Sequence, residues 1–128
     1  MGKGFRELKV WQMAKDLAVQ IYSLTNAGAF SKDFGLRDQI RRAAVSVASN
    51  IAEGDERDTN KDAVRFLYMA KGSLAEVLTQ TIIAKEIGYL QESDYKPIMG
   101  ECEAIGKMLG SLIKARTKDR LEISDKGR

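Results

Sequence analysis

Apolar residues return every three to four positions along most of this chain, and no stretch alternates with the period of a strand. Four segments carry the helical period. The first runs from about Arg6 to Asn26, with Val10, Met13, Ala14, Leu17, Ile21 and Leu24 on one stripe and Gly28 placed to end it. The second spans Leu36 to Gly54, with Leu36, Ile40, Ala43, Ala44, Val47 and Ile51 on one face and Gly54 as its expected left-handed terminus. The third, about Asn60 to Ile87, is opened by Thr59 with Asp62 three positions on, the arrangement of a capping box. Its stripe is Ala63, Phe66, Leu67, Ala70, Leu74, Val77, Thr81 and Ala84, and Gly88 follows its end. Ser93 is the expected cap of the fourth, with Pro97 in its first turn and Ile98, Cys102, Ile105, Met108, Leu109 and Leu112 facing inward. Short links between four amphipathic helices predict an all-α, antiparallel up-down-up-down four-helix bundle over residues 1–116. Residues 117–128 read as a basic, disordered tail.

Two helices are more apolar than a bundle core needs. On the first, Leu8, Trp11, Ala18 and Tyr22 form a second stripe, so apolar residues cover roughly 220° where a core face needs little more than about 100°. On the third, Val64, Tyr68 and Ile82 form another spare edge. Leu8, Trp11, Tyr22, Val64, Tyr68 and Ile82 are therefore the expected oligomer contacts, and two unlike patches that fit each other close into a ring rather than a two-fold dimer. Phe30 and Phe34 are expected to close one end of the core. Gly72, in mid-helix at a cost of about 1 kcal/mol against alanine, predicts a close neighbour. Gly106 and Gly110, one turn apart, predict close helix contact as well.

The second helix is also unusually polar beside its core face, at Gln39, Ser46 and Asn50, and Ser73, Glu76 and Gln80 give the third a matching edge. Two readings fit: a solvated rim, or a network between the helices that fixes their register. The second pairs Arg37 or Arg41 with Glu76 and places Asn50 and Ser73 in hydrogen bonds inside the bundle.

Charge adds a candidate interface. The chain carries 21 basic and 18 acidic residues, a net +3. From Gly106 onward, seven cations face three acids, an excess of four. Lys107, Lys114, Arg116, Lys118 and Arg120 are thus candidate nucleic-acid contacts, with Arg42 as a second site because it points away from its helix's core stripe. The same cations would also suit a helix C-terminus for dipole reasons alone.

Chemistry is sparse. With no histidine and one cysteine, the chain offers no imidazole base, no His-centred triad and no zinc ligand set. Cys102 lies on a core face, where a thiol behaves as a small hydrophobe. No glycine-rich phosphate loop follows a strand. The expectation is no enzyme, no metal and no cofactor. The lone cysteine and the absence of an apolar leader or membrane-length run point to the cytoplasm.

Specific stretches add a resemblance. FRELKVWQMA at Phe5–Ala14, LRDQIRRAAVSVASNIAEG at Leu36–Gly54, FLYMAKGSLAEVLTQ at Phe66–Gln80 and IGYL at Ile87–Leu90 resemble the 23S rRNA intervening-sequence protein family, over about Phe5 to Leu112. The chain departs from that pattern at Ser31 and Ala48, where relatives often carry proline. The resemblance implies a bacterial four-helix bundle forming a ring-shaped homopentamer. Some relatives are encoded within insertions in large-subunit rRNA genes. Others are accessory proteins of diversity-generating retroelements, which bind a reverse transcriptase and nucleic acid. The implied partners are further copies of the chain, RNA or DNA, and in the second branch a reverse transcriptase, with no membrane. Two functions follow: a nucleic-acid-associated oligomer, or a protein-binding scaffold.

Overall fold

The computed structural model describes the backbone of residues 4–126 and side chains as far as Lys118. After a short 3-10 turn at Phe5–Glu7, four helices follow: α1 (Lys9–Leu24), α2 (Phe34–Asp55), α3 (Asn60–Glu86) and α4 (Glu92–Lys126). No strand occurs among the described residues. Successive helices pack on each other and α4 returns to α1, so the inward stripes meet in a single core. Leu17, Ile21, Ile40, Val47, Ile51 and Leu109 are among its fully buried members. Ala14, Ala44, Ala70 and Ala84 are wholly buried between them, which lets the helix backbones approach.

The helix ends have local causes. Asp33 caps α2, its carboxylate accepting the Leu36 N–H at 3.1 Å. Its other oxygen accepts from the Tyr89 hydroxyl at 2.9 Å, and that bond raises the Tyr89 pKa above its usual value. Tyr89 also stacks on the buried Phe30, ring centres 5.2 Å apart, so Phe30 does close this end of the core. Phe34 does not: it is 63% exposed, with the Arg37 guanidinium over its ring. Thr59 caps α3 by accepting from the Asp62 N–H. Gly88, at φ +90°, ends α3: the Tyr89 N–H reaches the Ala84 carbonyl and the Gly88 N–H reaches that of Lys85, the paired bonds of a Schellman motif.

Several glycine and proline expectations need correction. Gly54 is not left-handed; positive φ among the described residues is confined to Gly4, Gly28 and Gly88, and α2 continues to Asp55. Gly54 is buried instead, and a Cβ there would meet the Ala63 carbonyl oxygen at 3.2 Å and the Phe66 Cβ at 3.3 Å. Its missing side chain lets the start of α3 lie against the end of α2. Gly72 has nothing within 4 Å of where a Cβ would be, and neither has Gly110, whereas Gly106 would touch Leu74 at 3.5 Å. Gly28 sits within the link, since α1 already ends at Leu24. Pro97 falls beyond the first turn because α4 starts at Glu92; the carbonyl its N–H would have bonded belongs to the exposed Ser93.

The backbone of α4 also runs past the boundary expected at Arg116, to Lys126. Residues 117–126 contain neither glycine nor proline. No helix among the described residues is long and apolar enough to cross a membrane.

Candidate nucleic-acid interface and the polar cleft

Around α4, at about 100° per residue, Lys107, Lys114 and Lys118 fall within about 40° of one another. All three are exposed, and they form one line on the outer surface. Lys107 sits 3.4 Å from Glu103, an exposed pair one turn away that neutralises little of its field. Arg116 lies half a turn away on the opposite side. It is partly buried, donates to the Asn60 side-chain oxygen at 3.3 Å and stands 3.7 Å from Asp55. Arg116 therefore ties α4 to the α2–α3 turn and is removed from the free cations. The Arg120 side chain lies outside the described residues. The structure adds Lys9, which sequence reasoning missed: it shares with Lys107 the rim of an apolar groove of about 460 Å³ between α1 and α4, floored by Leu8, Val10, Met108 and Leu112. Only contact between distant segments reveals that neighbour.

The arginines of α2 divide by direction. Relative to Ser46, Gln39, Arg42, Ala43 and Asn50 lie within about 60°, on the side facing α3, while Arg37 and Arg41 lie on the far side. That is why neither reaches Glu76. Arg37 pairs with Asp38 at 3.0 Å and donates to the Ser31 carbonyl. Arg41 donates to the buried Thr25 hydroxyl at 2.7 Å and covers the Tyr22 ring, locking α2 to the end of α1. Thr25 Oγ1 in turn donates to the Ile21 carbonyl. The expected pairing of Glu76 with Arg37 or Arg41 is thus replaced by a different neighbour. Glu76 lines a cleft of about 210 Å³ with Arg42, Gln39, Ala43, Ser46 and Gln80. Beneath it, Asn50 Nδ2 donates to the Ser46 hydroxyl and carbonyl, and the Ser73 hydroxyl donates to that of Ser46 at 3.0 Å. Glu76→Ala is therefore expected to change stability by less than about 0.5 kcal/mol, because an exposed side chain without an ion-pair partner is removed. A thermal melt measures this.

The spare apolar edges are redistributed. Between α1 and α2 lies a groove of about 540 Å³ lined by Trp11, Ala18, Val19, Tyr22, Val45 and Ala48. Val19 and Val45 are 62% and 43% exposed, so they extend the edge that Trp11 and Tyr22 suggested. On α3, Tyr68 and Ile82 are exposed and are joined by Ile83. Val64 is buried in the core and leaves the contact set, while Leu8 belongs to the α1–α4 groove. Val64 lies about 60° around α3 from the buried Leu67, at the margin of the inward face, and is covered there.

Among the described residues, no group of three or more His, Cys, Asp or Glu side chains is placed to hold a metal ion. Cys102 is fully buried, and burial pushes its thiol up to about 12, so it stays protonated at neutral pH.

Comparison with known proteins places this geometry. No curated protein matches the chain. A solved structure from Bacteroides thetaiotaomicron, a protein of unknown function from the S23 ribosomal protein family, is 25% identical to it. The two superpose with a TM-score of 0.76, over 82% of this chain and 98% of the other. The family model for the 23S rRNA-intervening sequence protein matches residues 6–111, through α1, α2 and α3 and into α4 as far as Ser111, and the chain belongs to that family.

Proposed function

We propose that this chain is a non-enzymatic, oligomeric four-helix module of the rRNA intervening-sequence type that associates with nucleic acid in the cytoplasm. Short links between neighbouring helices support the antiparallel up-down-up-down order. The observation that carries the nucleic-acid reading is the exposed line of Lys107, Lys114 and Lys118, with Lys9 beside it. Cations in a line suit a phosphate backbone, which supplies affinity largely without regard to sequence. One such line is weak. Repeated around a homopentamer it becomes multivalent, and a strand that reaches several copies gains by effective concentration. The ring itself is supported by two unlike apolar surfaces, the α1–α2 groove and the α3 stripe. A second reading, a protein-binding scaffold such as an accessory factor for a reverse transcriptase, is supported by the apolar α1–α4 groove.

Filter binding of single-stranded RNA against salt concentration tests the first reading. Affinity should fall steeply with salt, and Lys114→Ala with Lys118→Ala should flatten the logarithmic slope by roughly 0.7 for each phosphate that is no longer neutralised. A parent protein that retains no RNA at low salt, or a double variant that keeps the full slope, returns the lysines to a solubilising role and leaves the scaffold reading.

A further inference from the structure

The α2–α3 cleft is polar, unlike the two larger apolar grooves. Gln80 Oε1 is buried there with no hydrogen-bond partner, alone in this among the buried side-chain oxygens and nitrogens of the described residues. Its Nε2 donates to Gln39 Oε1 at a long 3.4 Å. Turning the Gln80 amide over exchanges the orphaned acceptor for an orphaned donor, and turning Gln39 alone leaves Oε1 orphaned and sets two amide donors against each other. Such a group bears its full desolvation penalty unless something in the cleft bonds to it. Above it stand Glu76 on α3 and Arg42 on α2, both exposed and neither in an ion pair or side-chain hydrogen bond among the described residues. The floor is stiff, since Ser46 is held by both Asn50 and Ser73.

We propose that this cleft seats one unpaired guanine base of a single-stranded nucleic acid, an inference that rests on the nucleic-acid reading above. The cleft is rich in acceptors: two carboxylate oxygens of Glu76 and the orphaned Gln80 Oε1. Guanine alone among the four bases carries two adjacent donors on its Watson–Crick edge, N1–H and the 2-amino group. Glu76 takes both as a bidentate pair, and Gln80 Oε1, buried as it stands, reaches the second 2-amino hydrogen by a turn of its side chain. Arg42 supplies donors for O6 and the neighbouring N7, the contact that arginine makes with guanine most often. Adenine and cytosine offer one donor group beside an acceptor, and uracil one N–H between two acceptors, so each would set an acceptor against the Glu76 carboxylate. A cavity of about 210 Å³ suits a single planar base, being below the roughly 300–1,000 Å³ of pockets that enclose larger ligands. No aromatic ring lines it, so edge hydrogen bonds carry the recognition.

The test is fluorescence anisotropy with labelled oligouridines carrying one central guanine, inosine or adenine, read on the full chain at low salt. The guanine strand should bind about tenfold more tightly than the adenine strand, with inosine, which lacks the 2-amino group, between them. Glu76→Gln should remove the guanine preference and leave plain oligouridine binding and oligomeric state unchanged. Equal binding of all strands, or a preference that survives Glu76→Gln, overturns the guanine cleft and leaves the lysine line standing. No binding of any strand overturns both.

Discussion

Replacing Gly54 with valine is expected to cost about 2–4 kcal/mol and to lower the melting temperature by roughly 10 °C. A Cβ at this position would stand 3.2 Å from the Ala63 carbonyl oxygen and 3.3 Å from the Phe66 Cβ. Neither neighbour is the far end of a flexible side chain. One is backbone in the first turn of α3, and the other is anchored to it. Relief therefore requires the α2–α3 corner to open, which disturbs Leu67 and Ile51 in the core behind it. Alanine should cost less, because its helix propensity returns about 1 kcal/mol against the same clash. Gly100, also helical but with nothing within 4 Å of a Cβ, provides the contrast: Gly100→Ala should be neutral or stabilising by up to about 1 kcal/mol. Thermal melts of the three variants decide the matter. A Gly54→Val protein that melts with its parent would mean that the corner is looser than these distances indicate.

Gly54 also marks where sequence reading succeeds and fails. Its importance was legible, because a glycine closing a long apolar period must have a reason. The reason was not, because a left-handed terminus and a close approach by another helix leave the same letter in the chain. The four helices and their core stripes were legible because a 3.6-residue period records only which side of a helix is wet. So was the cap at Thr59, which depends on residues three positions apart. Directions between helices were harder. The same period that places Arg42 and Glu76 on facing sides places Arg37 and Arg41 on the other, but which side of α2 meets α3 is settled by packing. Thr25 shows the limit most plainly. It reads as an ordinary residue in the last turn of the first helix, yet it is fully buried beneath Arg41, a contact across sixteen positions that no local pattern encodes. In the candidate site, the lysines of α4 were visible as a charge excess. Their division into an exposed line and the structural Arg116 needed the position of Asp55 and Asn60.

The second large effect concerns assembly. Val19→Asp and Ile83→Asp are each expected to convert the proposed oligomer to a monomer without loss of fold. Val19 is 62% exposed and Ile83 45%, so neither change digs into the core. Val19 lies in the α1–α2 groove, and Ile83 belongs to a stripe on α3 that runs with Tyr68, Gly72, Ala75 and Thr79 on one side of the helix. Gly72 and Ala75 make that stripe flat, and the open space over Gly72 means that nothing in its own subunit covers it. If the stripe of one copy fills the groove of the next, a carboxylate on either surface is buried without a partner. That costs about 3–5 kcal/mol, a hundredfold or more in dissociation constant. The mixture of the two variants is the sharper measurement. The Val19→Asp protein keeps an intact α3 stripe and the Ile83→Asp protein keeps an intact groove, so together they can make one interface and no more. Light scattering after size exclusion should show two monomers separately and a heterodimer when mixed. If each surface instead met its own copy across a two-fold axis, mixing would create no interface that either variant lacked alone. Monomers that stay monomeric together would therefore exclude the groove-and-stripe ring, because a head-to-tail interface always leaves one such pair of surfaces intact.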